Sequence, residues 1–134
     1  MKNSKVEICF IGNAIVDILS KINNETLNKL KIPKGSMQLV DEESSDKILK
    51  YIKDPSIISG GSAANTAVGF KSFGGTCSFI GQIGNDKFGD LFSKDLNNSG
   101  IVFKSKNFQS TVKTSKSIIL VTPDAERSMN TFLG

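Results

Sequence analysis

The chain has 134 residues, 38% of them apolar, with a charged fraction of 22% and a net charge of +4. That length and balance describe one globular domain with room for a real core, and no stretch approaches the roughly 20 apolar residues of a membrane span. The positive charge comes from scattered lysines with Arg127 as the one arginine, which predicts solvated faces and argues against a nucleic-acid site.

Val6 to Gly12 is a short apolar run ending in glycine, as a buried parallel strand would. The preceding lysines faintly mimic a secretory leader, but Glu7 interrupts the run, Asp17 follows closely and no small-residue cleavage site appears. The expected location is the cytoplasm. Residues 15–22 read as a second extended segment, and Thr26 to Leu30 as a short helix stopped by the extended bias before Pro33. Met37 to Val40 is a brief strand. Asp41 then caps a helix reaching Tyr51 or Ile52, with Glu42 and Glu43 in its first turn and Ile48, Leu49 and Ile52 inward.

Ser56 to Ser59 is a strand feeding the turn Gly60-Gly61. Ser62 is a good N-cap residue, so Ala63 is expected to open the next helix and Asn65 to stand at its third position. Ala64, Ala67, Val68 and Phe73 would form the inner face of that helix, which ends before Gly74-Gly75. Thr76 to Ile83 is the next strand. Asp86 caps a helix carrying Phe88, Leu91, Phe92 and Leu96 on one side and closing at Asn98 to Gly100. Strand signals resume at Ile101 to Phe103 and Ser117 to Thr122, then Pro123 to Glu126 turns the chain into a final strand from Arg127 to Leu133.

Strands alternating with capped helices predict an α/β sheet with right-handed crossovers. Segments near 15–22, 37–40 and 106–118 do not fit the alternation and are expected to form a small accessory sheet. The sequence stops after a strand with no helix to cover the sheet, which predicts the first part of a longer fold. Cys9 and Cys77 each fall inside a predicted strand, and without any histidine they are expected to be buried free thiols, not metal ligands.

Several chemistries fail on the residues. No Gly-Lys-Ser or Gly-Lys-Thr follows a glycine at phosphate-loop spacing, and Gly81, Gly84 and Gly89 lack the opening G-x-G of a dinucleotide fingerprint. Nucleophilic triads need a histidine. Two features remain. The run Gly60-Gly61-Ser62-Ala63-Ala64-Asn65-Thr66-Ala67 sets two glycines against a helix start, where free N–H groups favour hydroxyl or anionic oxygens. Asp17 sits among Ala14, Ile15, Val16, Ile18 and Leu19, where a carboxylate is costly unless hydrogen-bonded; two neighbouring hydroxyls of a sugar would meet that need.

Together, Gly12-Asn13-Ala14-Ile15-Val16-Asp17-Ile18, the turn Gly60-Gly61-Ser62-x-x-Asn65 and the run Ile80-Gly81-Gln82-Ile83-Gly84-Asn85-Asp86-x-Phe88-Gly89 resemble the ribokinase-like (PfkB) carbohydrate kinases. The resemblance extends from about residue 6 to the end, and is strongest to the adenosine-kinase-like branch. It implies the N-terminal portion of a three-layer α/β/α sandwich, with the off-pattern strands as a β-lid that pairs two subunits in some members. It also implies that Asp17 holds substrate hydroxyls beside Asn13, and that Gly60, Gly61, Ser62 and Asn65 line the same pocket. Arg127 matches an arginine near the transferred phosphate, a role suited to a guanidinium fork.

One departure is large. The family carries a Gly-Ala-Gly-Asp motif whose aspartate is the general base, and nothing here matches it; Gly89-Asp90 lies inside a predicted helix. The resemblance therefore implies the acceptor-binding part of an enzyme using ATP and magnesium to phosphorylate a sugar or nucleoside, adenosine first, fructose or ribose next. Alone, this part is expected to be inactive and to bind neither cofactor. The other expectation is a short protein that binds a sugar or nucleoside without catalysis.

Overall fold

The computed structural model describes residues 6–104 and 111–134. Their strands fall into two sheets. The first is parallel throughout and runs in the order β1 (Ile8–Ile11), β5 (Cys77–Ile80), β6 (Val102–Phe103). The second is mixed and has five strands: β3 (Met37–Leu39), β8 (Arg127–Phe132), β7 (Ser115–Val121), β2 (Ile15–Lys21) and β4 (Ser56–Gly60), in that order. The helices are α1 (Asn24–Lys29), α2 (Glu42–Leu49), α3 (Ser62–Ser72) and α4 (Lys87–Asn98). None of the described helices is long and apolar enough to cross a membrane.

The parallel sheet owes its core to aromatic residues at alternate positions. Phe79 and Phe103 are register partners on one face, and Phe92 of α4 meets both at centroid separations of 5.6 and 5.5 Å. Such tilted clusters combine large apolar burial with favourable ring-edge contacts. The opposite face carries Cys9, Ile11, Ser78, Ile80 and Val102 and is covered by no described helix, with Ile11 72% and Ile80 56% exposed. Parallel sheets are normally covered on both faces. The isolated 134-residue chain is therefore expected to self-associate in sedimentation runs as its concentration rises, and Ile11→Lys with Ile80→Lys to suppress that association.

Capping fixes where three helices begin. Asn23 accepts the N–H of Thr26 and Asp41 that of Ser44, each at 2.8 Å. Asp86 does more: its carboxylate accepts from Phe88, Gly89 and, across the chain, the N–H of Thr114 at 2.8 Å. It thus ties the entry to β7 onto the start of α4. Burial pushes its carboxyl upward, but these hydrogen bonds outweigh burial and hold it below the ordinary carboxylate range. A depressed acid stabilises the fold above its unfolded-state value, and that contribution is lost as pH falls through the folded value. Asp86→Ala is expected to lower stability by about 2 kcal/mol in denaturant titrations at neutral pH, with the difference shrinking in acid.

Several expectations need correction. The N-cap of α3 is Gly61, at φ 91° and with no side-chain cap, so Ser62 is already helical and Asn65 stands one position later than expected. The sharp exit from β4 requires a left-handed backbone that glycine alone adopts cheaply, and this overrides the capping preference of Ser62. Val68 and Phe73 do not face inward; Phe73 is 93% exposed. Cys9 is exposed because it lies on the face that no described helix covers, whereas Cys77 is buried. The segments 56–59, 117–122 and 127–133 do not join the parallel sheet but pair with β2 and β3. Of the segment 106–118, residues 106–110 lie outside the described residues.

Candidate functional site

Asp17 occupies the middle of β2, opposite Ile58 of β4 and Ser117 of β7. Its neighbours Val16 and Ile18 turn into the core, fully buried, so strand alternation sends Asp17 to the other face. It is half-buried, and burial raises its carboxyl above the ordinary range. No described residue donates a hydrogen bond to it or pairs with it. Gly60 explains how the carboxylate fits: a Cβ there would stand 2.2 Å from Asp17 Oδ2. The carboxylate lies across a position that only a residue without a side chain leaves open.

Asn13 follows β1, and its carbonyl oxygen would be 3.0 Å from a Cβ on Gly61. The loop carrying Asn13 and the Gly60-Gly61 turn are therefore packed together. Asn13 also lines a cleft of about 320 Å³ with Gln82, Gly84, Lys113 and Ser115. This cleft opens beyond the carboxyl ends of the parallel strands β1 and β5, where open α/β sheets place their ligands. Gly84 and Gly89 are packing positions: a Cβ on Gly84 would meet Val112 O at 2.6 Å, and one on Gly89 would meet Gly84 O at 2.4 Å.

Asn65, in the first turn of α3, is exposed and lines a different cleft of about 410 Å³ with Ile58, Ser59 and Asp95. Ile58 is its link to Asp17, being the register partner of one and the cleft neighbour of the other. Ser62 is exposed at the same helix start. The geometry thus sets Asp17 against Gly60 and Asn13 against Gly61, with Ser62 next in the chain, whereas Asn65 lines a separate cleft that shares Ile58 with the Asp17 register. Arg127 is not in this group. It pairs with Val121, four residues along β7 from the partner of Asp17, or about 13 Å at strand rise.

One functional-looking feature escaped the sequence reading. Lys116 of β7 is 2% exposed, contrary to the expectation that lysines form solvated faces. Its Nζ is 2.7 Å from Asp46 of α2 and lies near the rings of Phe88 and Phe132. The signal was present: Lys116 is the single charge in the run from Thr114 to Thr122.

Comparison with known proteins bears on this geometry. The pfkB family of carbohydrate kinases matches residues 34–134. The solved adenosine kinase of Sinorhizobium meliloti is 37% identical with a TM-score of 0.85, over 98% of this chain and 40% of that one. A probable sugar kinase of Rhizobium etli is 38% identical with a TM-score of 0.84, over 96% of this chain and 39% of that one. Probable fructokinase-4 of Arabidopsis thaliana is 31% identical over 77 residues, 58% of this chain and 22% of that protein. The chain spans about two fifths of these solved structures. The matched part of the fructokinase is smaller still.

Proposed function

The chain belongs to the pfkB family of carbohydrate kinases, and from that premise we propose that it supplies the acceptor-binding part of an enzyme. That enzyme would move the γ-phosphoryl group of ATP to a hydroxymethyl group of a sugar or nucleoside. The observation carrying the proposal is Asp17, a half-buried carboxylate with no donor from any described residue. Burying such a group is costly unless a ligand supplies the missing hydrogen bonds. Two vicinal hydroxyls donating to its two oxygens would do so. Asn13, Gly60, Gly61, Ser62 and Asn65 would line the rest of the acceptor site.

The general base would come from residues other than these, because Gly-Ala-Gly-Asp is absent from the 134 residues. Among the described residues no group of three or more His, Cys, Asp or Glu comes together; a magnesium ion in such an enzyme would be held largely by the phosphates of ATP, water and one or two carboxylates. Arg127 keeps a phosphate-stabilising role on its chemistry alone, as a guanidinium fork suited to phosphoryl oxygens. The five-stranded sheet would act as the lid, and its short β3 edge would be where two subunits pair.

Adenosine or a related nucleoside is the acceptor we favour; fructose is the second reading, supported by the fructokinases that the chain resembles. A thermal-shift panel of nucleosides and hexoses on the full-length protein tests both, since the shift follows ligand concentration over Kd. Turnover with ATP separates a kinase from a protein that binds without catalysis. Gly60→Ala forces the Asp17 carboxylate aside, and is expected to weaken acceptor affinity by at least about tenfold in the same panel. An unchanged shift would remove Asp17 from the site.

A further inference from the structure

Two carboxylates of the α4 segment reach the five-stranded sheet, and they grip the strands on either side of β2. Asp86, at the start of the helix, accepts the N–H of Thr114, the residue before β7, at 2.8 Å. Asp95, near its end, accepts the N–H of Ser59 in β4 at 3.2 Å. About 13 Å of helix separates the two, enough to cross the two strand spacings, about 10 Å, from β7 to β4. The strand of Asp17, β2, lies between them. As the last strand of its sheet, β4 turns the Ser59 N–H outward, away from β2, and α4 meets it there.

We propose that Asp95 is a positioning residue of the acceptor site, holding β4 by the Ser59 N–H so that Gly60 stays in place against the Asp17 carboxylate. This rests on the acceptor reading given above. Gly60 follows Ser59 directly and pairs with Ile15 in the last step of the β2–β4 ladder. A Cβ on it would stand 2.2 and 2.8 Å from the two Asp17 oxygens, so the Gly60 backbone is one wall of the space around that carboxylate. Beyond Gly60 the chain leaves the sheet at once, through Gly61 at φ 91°, into α3. A strand end on a sheet edge, beside two glycines, is where a ladder frays most easily. Asp95 ties that end down from the side that β2 does not reach. Without the tie, Gly60 shifts against Asp17, and the room for the acceptor's hydroxyls varies with it. The tie acts on acceptor binding and leaves the phosphate donor untouched.

The test measures kcat and KM for adenosine, fructose and ATP in the full-length protein and its Asp95→Ala, Asp95→Asn and Asn98→Ala variants. Amide hydrogen exchange at Ser59 and melting temperatures are read on the same samples. Asp95→Ala is expected to raise the acceptor KM about fivefold, with kcat and the KM for ATP kept, and to quicken exchange at Ser59. Asp95→Asn keeps an oxygen for the Ser59 N–H and should hold the acceptor KM within about twofold of wild type. Asn98 lines the same cleft as Asp95, its side chain bonds to no described residue, and Asn98→Ala should change nothing. Should Asp95→Ala not fold, Asp95→Glu, one methylene longer, displaces the carboxylate without removing it and carries the same expectation. An acceptor KM unmoved while Ser59 exchange quickens overturns this inference alone, because the tie is then only structural. Unchanged exchange at Ser59 overturns it too, as does an equal loss in Asp95→Asn and Asp95→Ala. A wild-type protein that phosphorylates neither adenosine nor fructose overturns the acceptor reading and this inference with it.

Discussion

Asp17→Asn in the full-length protein is expected to lower kcat/KM for the acceptor by roughly 100- to 1000-fold while leaving the melting temperature unchanged or higher. The two halves of that expectation come from one environment. As a ligand-binding group, Asp17 would accept two hydroxyl protons, and hydrogen bonds to a charged acceptor contribute about 1.5–3 kcal/mol each. The amide of asparagine keeps one acceptor oxygen but turns a donor toward the second hydroxyl. As a structural group, Asp17 is a liability, because burial disfavours its charged form and no described residue offsets that. A carboxyl raised in the folded state leaves the fold most stable below the unfolded-state value. Stability then falls as pH rises through the unfolded value and up to the folded one. Asparagine removes that slope. Denaturant midpoints measured from pH 3 to 8 should therefore diverge between wild type and variant as pH rises, in favour of the variant. A variant less stable than wild type at neutral pH would show that Asp17 has a structural partner, and would sink the assignment.

Local signals carried much of the fold, and their failures have physical causes. Asp41 and Asp86 start helices as expected, because a carboxylate two or three residues from free N–H groups acts within one turn. Ser62 failed the same test because the turn before it needed a positive φ, a demand set by how β4 meets α3. Which sheet a strand joins is harder still. Ser117 to Thr122 and Arg127 to Leu133 read as strands, but nothing local distinguishes pairing with β2 from pairing with β5. In the site, apolar neighbours singled out Asp17, and paired glycines singled out Gly60 and Gly61. Arg127 stands away from them because strand register, invisible in a residue pattern, sends it to the far end of β7. Lys116 was hidden for a related reason. Its burial depends on α2, some seventy residues earlier in the chain, supplying Asp46.

That ion pair leads to an asymmetric expectation. Asp46→Asn should destabilise the protein by about 3 kcal/mol, whereas Lys116→Met should be close to neutral. Asp46 is 43% exposed and Lys116 2%, so the two ends of the bond sit in different solvents. Hydrogen bonding to Lys116 is the main influence holding the Asp46 carboxyl low, and Lys113 at 3.3 Å adds to it. With Lys116 gone, Asp46 keeps water and Lys113. With Asp46 replaced by asparagine, the described residues offer the buried ammonium a neutral amide oxygen and the Phe88 and Phe132 rings, at 6.0 and 5.4 Å, in place of a carboxylate. Ring faces attract a cation by about 2 kcal/mol when desolvated, less than the charge has lost. Methionine in place of Lys116 fills the same unbranched volume and brings a sulfur against both rings. The double variant Asp46→Asn with Lys116→Met should therefore recover most of what Asp46→Asn alone loses. Denaturant midpoints of the four proteins complete the cycle, and the coupling should appear as a strongly non-additive pair. Equal losses from the two single variants would mean that water reaches Lys116, and that the lysine is held by the pair and not by its burial.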